Sequence, residues 1–279
     1  MTIHVLIPVF NRLPMTQSLI DCLLRQKLNQ PMRIIVINDG STDNTKDWLA
    51  KQDGIEALEG DGSLFWAGAI DLALQHLESK AAAEDWVLLM NNDTTVTEDF
   101  VQCLFDTAVE YAPAAVGSVI RDEVDHSHLL SVGVKINAWR LLISDILNSN
   151  RQKNTGNAVE VDALSGRGAI FPIKGLTEAG GMRPSILPHY LADYEMSVRV
   201  HNLGWKLLVS LDAAVYSSNE YGNKICANSL KNRLFSIKSP LYLPALLVFW
   251  WEASNWKQRL TFLVRLPLFI IFPWLRRQL

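Results

Sequence analysis

Cysteine is scarce in this chain: Cys22, Cys103 and Cys226 stand far apart among 279 residues, with no C-x-x-C pair and no Cys/His metal spacing. That excludes a disulfide-built scaffold and a zinc cluster, and it suits a reducing compartment. No G-x-G-x-x-G follows the first strand-like run and no G-x-x-x-x-G-K-[S/T] occurs, so a Rossmann dinucleotide site and a P-loop are both disfavoured. Apolar runs are short. The longest, 241–251 and 266–275, span eleven and ten residues and contain Pro244, Pro267 and Pro273; a membrane-spanning helix needs about 20. No basic leader precedes Ile3, and no signal peptide is expected. Internal repeats and low-complexity tracts are absent too.

What is present is a core-forming composition, with 49% hydrophobic and 20% charged residues, which rules out intrinsic disorder. The formal net charge of −3 hides an asymmetry. Residues 224–279 carry nine basic side chains and one acid, Glu252, together with four of the nine tryptophans. Residues 1–223 hold 17 basic and 28 acidic side chains. An acidic body therefore carries a basic, aromatic, apolar tail, and the chain divides into a domain over 1–223 and a helical tail over 224–279.

In the first 120 residues, short apolar runs (Ile3–Pro8, Arg33–Asn38, Trp86–Met90, Ala114–Ile120) alternate with segments of helical spacing such as Leu19, Ile20, Leu23 and Leu24. Alternation of this kind predicts βαβ units and an α/β, doubly wound, mostly parallel sheet. Farther on, Leu129–Val134 and Trp139–Ile143 read as paired strands and Tyr190–Leu203 as an amphipathic helix. Lys206–Ser210 and Ala213–Tyr216 read as short strands finishing the sheet edge. Ligands of open α/β sheets bind beyond the carboxyl ends of the strands. Three polar clusters fall there: Asn11-Arg12, Asp39-Gly40-Ser41 and Asn91-Asn92-Asp93.

Six segments, VLIPVFNR (5–12), IIVINDGSTDNT (34–45), GDGSLFWAGAIDLAL (60–74), WVLLMNNDT (86–94), LSGRGAIFPIKGLTEAGGM (164–182) and LADYEMSVRVHNLGW (191–205), together resemble glycosyltransferase family 2. These are GT-A-fold enzymes that use nucleotide-sugar donors. The resemblance covers roughly residues 3–220 and implies an inverting sugar transfer assisted by a divalent cation, Mg²⁺ or Mn²⁺. It implies that Asp39 contacts the donor nucleoside, and an exposed carboxylate at a strand end can accept bonds from an imide N–H or ribose hydroxyls. Pro8, Asn11 and Asn92 fall on donor-side segments. Asp93 matches the last position of the DxD-type motif and would hold the cation against the diphosphate. Asp193 matches the general base that deprotonates the acceptor hydroxyl. Trp66 has two open readings, an aromatic face for the donor or a packing residue.

Departures from the family pattern are informative. Ile70-Asp71 stand where relatives often have Arg-Asn, which leaves Arg167 to supply phosphate-side charge. Ser217 stands where many relatives carry a metal-ligating histidine, with His189 as a possible substitute. In the tail, tryptophans and arginines flank the apolar runs, the pattern of helices lying in a membrane interface; a helical cap or an oligomer interface is the alternative. The expected partners are a nucleotide-sugar donor, a glycan or polyprenyl-linked acceptor and a membrane surface, with no nucleic acid; an oligomer is left open. The expected location is cytoplasmic, peripheral on the inner face of the cell membrane. A non-catalytic nucleotide-sugar or glycan-binding relative is a second hypothesis. A sugar nucleotidyltransferase is a third, although Pro8-Val9-Phe10-Asn11 shows nothing of that class's Gly-rich signature.

Overall fold

The computed structural model describes residues 1–148, 154–218 and 230–272. The first half runs β1 (Ile3–Val9), α1 (Leu13–Leu24), β2 (Met32–Asn38), α2 (Thr45–Leu49), β3 (Ile55–Glu59), α3 (Phe65–Leu77), β4 (Trp86–Leu89), β5 (Thr94–Val96), α4 (Phe100–Glu110) and β6 (Ala114–Asp122). The second half adds β7 (Leu129–Ser131), β8 (Val134–Asn137), β9 (Leu142–Asp145), β10 (Asn154–Thr155), β11 (Ala158–Glu160), β12 (Ala169–Pro172), α5 (Ile173–Glu178), α6 (Ala192–Asn202) and β13 (Lys206–Ser217). Helices α7 (Leu230–Phe235), α8 (Leu243–Glu252) and α9 (Trp256–Ile271) follow.

The main sheet has the order β10-β11-β13-β6-β12-β4-β1-β2-β3. Strands β4, β1, β2 and β3 are parallel, as are β6 and β13. Strand β12 runs antiparallel between β4 and β6, so the sheet is mixed rather than mostly parallel. A buried run such as Ala169–Pro172 carries no signature of strand direction, which is why the sequence reading misses this. Two other expectations change. Leu129–Ser131 pairs with β6 rather than forming a hairpin, and the hairpin is β8 with β9. Strand β13 is one bulged strand lying between β11 and β6, not two pieces at an edge.

Alternation along β1 sends Ile3, Val5 and Ile7 to the face covered by α1 and α4, and Leu6 to the face covered by α3 and α6. Both faces are therefore dry, and each fully buried Leu, Ile or Phe contributes about 1.5–3 kcal/mol. Strand β1 lies between β2 and β4, so the chain leaves it in opposite directions on its two sides and a crevice opens above its carboxyl end. The loops after β1, β2 and β4 meet there. The loop entering β12 arrives at the same end because that strand is inverted. Ser217, ending β13, pairs with Thr94 beside Asp93.

The division between body and tail at 223/224 lies outside the described residues, as do Cys226, Pro273, Trp274, Arg276 and Arg277. Helix α8 packs on α6, and Leu246, Phe249 and Trp250 join Phe262, Leu266 and Phe269 of α9 in a cluster with Val134, Ala163 and Val198. Helix α9 continues through Pro267. Its other face leaves Trp256, Leu260, Leu263, Val264 and Ile271 exposed. Arg265 holds α9 in place by donating to the carbonyls of Ala138 and Trp139, at 2.7 and 2.6 Å. No helix among the described residues is long and apolar enough to cross a membrane.

Candidate active site

The crevice is built by backbone groups that hold carboxylates and amides in place. Asn11 and Arg12 are consecutive left-handed residues with φ of 59° and 64°. Non-glycine residues in that region cost about 1–3 kcal/mol and persist where the surroundings enforce them. The enforcing contacts are clear: the Asn11 N–H donates to Ser41 Oγ at 2.8 Å, and Asn11 Oδ1 accepts the Thr42 N–H at 2.8 Å. Asn11 thus knits the first loop to the second. Pro8 lies in β1 opposite Ile37.

Asp39 differs from the exposed carboxylate predicted for it. It is 6% exposed, with Oδ1 accepting the Gly62 N–H at 2.8 Å and Oδ2 the Phe65 N–H at 3.1 Å. Its observed work is to fold the Gly60–Phe65 loop over the crevice. Asn92 also departs from expectation. It is buried, and its amide donates to Thr16 Oγ1 of α1 at 3.1 Å, on the body's side of the loop.

Of the Asn91-Asn92-Asp93 run, only Asp93 offers its carboxylate to the crevice. Arg12 Nη1 lies 3.3 Å from Asp93 Oδ2, with the two side chains 52% and 25% exposed. Asp93 Oδ1 is buried and has no hydrogen-bond partner among the described residues. An unsatisfied carboxylate oxygen costs about 1–3 kcal/mol or more, so it calls for a partner of positive charge. A hard divalent cation that keeps waters and substrate oxygens in its shell fits a single carboxylate. Among the described residues, no three His, Cys, Asp or Glu side chains converge on a metal position. His189 packs edge-on against Tyr190, with ring centres 4.7 Å apart. Ser217 is buried and accepts from Arg167 Nη1 at 3.4 Å, so this position holds an arginine in the crevice rather than a metal.

Asp193 sits in the first turn of α6, after Leu191 in a left-handed N-cap conformation (φ 68°). Its Oδ2 accepts the Gly166 N–H and its Oδ1 the Tyr194 N–H, both at 2.9 Å. Burial pushes its carboxyl pKa up, against the opposing pull of those two N–H groups and of the nearby Arg167 charge. A raised pKa makes a carboxylate a better proton acceptor. Beneath it, Glu195 is fully buried, held by Arg199 at 2.8 and 2.9 Å and by Arg183 at 2.9 Å. Arg183 also reaches Glu252 of α8 at 2.8 Å.

Trp66 joins the two halves. Its Nε1–H donates to Asn91 Oδ1 at 2.9 Å, and its six-membered ring lies so close to Gly166 that a Cβ there would come within 2.2 Å. The contacts of Trp66 tie the loop after β4 to the loop entering β12. A short chain of contacts, Asp193 to Gly166 to Trp66 to Asn91, therefore ties the first turn of α6 to the loop that carries Asp93. Arg12, the cation paired with Asp93 among the described residues, belongs to the Asn11-Arg12 cluster read at the end of β1, but no role was assigned to it; the left-handed turn at Asn11 and Arg12 is what aims it.

Residues 4–165 match the family model for glycosyl transferase family 2. No curated protein sequence matches the chain. Solved structures do. GalNAc-T7 with UDP, GalNAc and Mn²⁺ superposes with TM-score 0.63 at 12% identity, covering 78% of this chain and 44% of that one. The 1–349 fragment of S. aureus TarS with UDP-GlcNAc gives 0.57 at 17%, covering 80% and 60%. Mannosyltransferase PcManGT from Pyrobaculum calidifontis with GDP-Man and Mn²⁺ gives 0.55 at 15%, covering 99% and 82%. The chain thus spans less than two thirds of the GalNAc-T7 and TarS chains. These likenesses establish a GT-A-type fold.

Proposed function

Because this chain belongs to glycosyl transferase family 2, we propose that it moves a sugar from a nucleotide-sugar donor to a hydroxyl of a membrane-held glycan acceptor, inverting the anomeric configuration. The observation that supports this reading is the chain of contacts that links the Asp93 loop to Asp193 through Asn91, Trp66 and Gly166.

Asp193 takes the proton of the acceptor hydroxyl. The acceptor oxygen bonds to the anomeric carbon as the bond from that carbon to the phosphate oxygen breaks, and the electron pair leaves on the nucleoside diphosphate. The two N–H groups on Asp193 fix the carboxylate, so little reorganisation is needed at the moment of transfer. Arg12 and Arg167 border the crevice and supply positive charge for phosphate oxygens. Asp93 would hold a divalent cation, which would stabilise the charge growing on the leaving diphosphate. Asp39 shapes the donor side through the Gly60–Phe65 loop.

The membrane element of the proposal rests on α9. Its exposed apolar stripe is flanked by Lys257 and Arg259, a pairing suited to an anionic lipid surface. The reading includes a peripheral position on the inner face of a cell membrane. The test is a thermal-shift panel of UDP-, GDP- and dTDP-sugars with Mn²⁺. A ligand that binds only the native chain at 100 times its Kd adds about 2.7 kcal/mol of stability. One class of donor should raise the melting temperature by several degrees; no shift with any of them overturns the reading.

A further inference from the structure

A recess of about 220 Å³ opens next to the Asp193 turn, between the middle of β6, the end of β7 and the first turn of α6. Two of its walls are chain neighbours of the groups that fix the base. Ser165 precedes Gly166, whose N–H holds Asp193 Oδ2, and Tyr194 supplies the N–H on Oδ1. Ser118 lines it too, and its hydroxyl donates to the carbonyl of Arg167 at 3.2 Å. The recess therefore adjoins the crevice on the side of the base.

Its chemistry is specific. The polar lining residues are Ser118, Ser131, Ser165, Tyr194 and Asp145, beside buried apolar residues that include Val134 and Leu164. None of the lining residues is Lys, Arg or His. Asp145 is held by the Ser131 hydroxyl and by the N–H groups of Leu147, at 2.9 Å, and Val132, at 3.4 Å. A carboxylate offers about four acceptor positions, so this one retains capacity for a further donor. A lining of apolar, hydroxyl and carboxylate residues matches a sugar ring, whose C–H face is apolar and whose edge donates hydrogen bonds. Among the described lining residues a phosphate finds no cation and one like charge. Sites for drug-sized ligands run to ~300–1,000 Å³, so this recess takes a single ring.

We propose that this recess is the subsite for the acceptor's terminal residue, and that this residue is a neutral sugar rather than the bare phosphate of a lipid carrier. The proposal rests on the assignment of Asp193 as the base. A ring seated here presents a hydroxyl to Asp193 with its remaining hydroxyls against Ser131, Asp145 and Ser165.

The experiment uses the full chain with UDP, GDP or dTDP and Mn²⁺, and titrates methyl glycosides of glucose, galactose, mannose, rhamnose and N-acetylglucosamine, read by saturation-transfer NMR. At least one glycoside should bind. Asp145→Asn and Ser165→Ala should each weaken it tenfold or more, and a short polyprenyl phosphate without sugar should not compete. Two variants are used so that poor folding of one leaves the other to decide. A chain that binds a nucleotide but no glycoside overturns this inference alone, as does undiminished binding in the folded variants or competition by the polyprenyl phosphate. A chain that binds no nucleotide removes the functional reading as well.

Discussion

Replacing Arg12 with glutamine separates a structural ion pair from a ligand-binding one. The guanidinium lies 3.3 Å from Asp93 Oδ2, but its side chain is 52% exposed, so solvent screens the pair. Such pairs stabilise a fold by about 0.2–1 kcal/mol. In a chain of this size that lowers the melting temperature by at most about 2–4 °C. The left-handed backbone at Arg12 is as strained with glutamine as with arginine, so it adds no difference. Contact with a phosphate is a larger matter. A hydrogen bond to a charged group contributes roughly 1.5–3 kcal/mol, or about ten- to a hundredfold in affinity. Isothermal titration of UDP, GDP and dTDP with Mn²⁺ should show a loss of that order in Arg12→Gln, partly recovered in Arg12→Lys, which keeps the charge without the fork. Mn²⁺ alone, followed by electron paramagnetic resonance, should bind the glutamine variant a few fold more tightly, since Asp93 is then freed of its competing cation. Unchanged nucleotide affinity combined with a large fall in melting temperature would refute the reasoning.

Asp193→Asn should fold normally and lose transfer by orders of magnitude. In the unaltered chain the base works ionised and its pKa is raised, so the acidic fall in turnover should lie above the ordinary carboxylate value of 3.8; a profile still flat down to that value argues against it. Gly166→Ala sets a Cβ against the Trp66 ring, and overpacking of this kind costs about 1–3 kcal/mol, visible in urea unfolding alongside lost activity. Glu195→Ala leaves Arg199 buried without its carboxylate and should cost about 3–5 kcal/mol in the same assay. Leu260→Glu with Leu263→Glu, both on the exposed face of α9, should abolish co-sedimentation with anionic vesicles while leaving the melting temperature within about a degree of the parent.

Much of this architecture can be read from the sequence because its signals are local. Strands β1, β2 and β4 are unbroken buried runs, and α1 shows its Leu19, Ile20 and Leu23 stripe at helical spacing. Direction and continuity are not local. Strand β12 is set antiparallel by its neighbours, and the exposed Leu211 and Asp212 disguise β13 as two strands. In the site, residue types at motif positions are legible, but the partners that consume them are not. Asp39 accepts from two backbone N–H groups and Asn92 donates to Thr16, and neither kind of partner shows in a motif. Arg12 is the converse. Its role comes from a turn enforced by Ser41 and Thr42, some thirty positions away.

The contact between Trp66, Asn91 and Gly166 has a consequence for how this sequence can vary by descent. A side chain at 166 has no room while an indole occupies 66, and an aromatic ring without an N–H at 66 strands the Asn91 carbonyl. Three positions remote in the chain are therefore bound to change in concert, with bulk gained at 166 compensated by bulk given up at 66, and residue 91 released to drift only after the indole has gone.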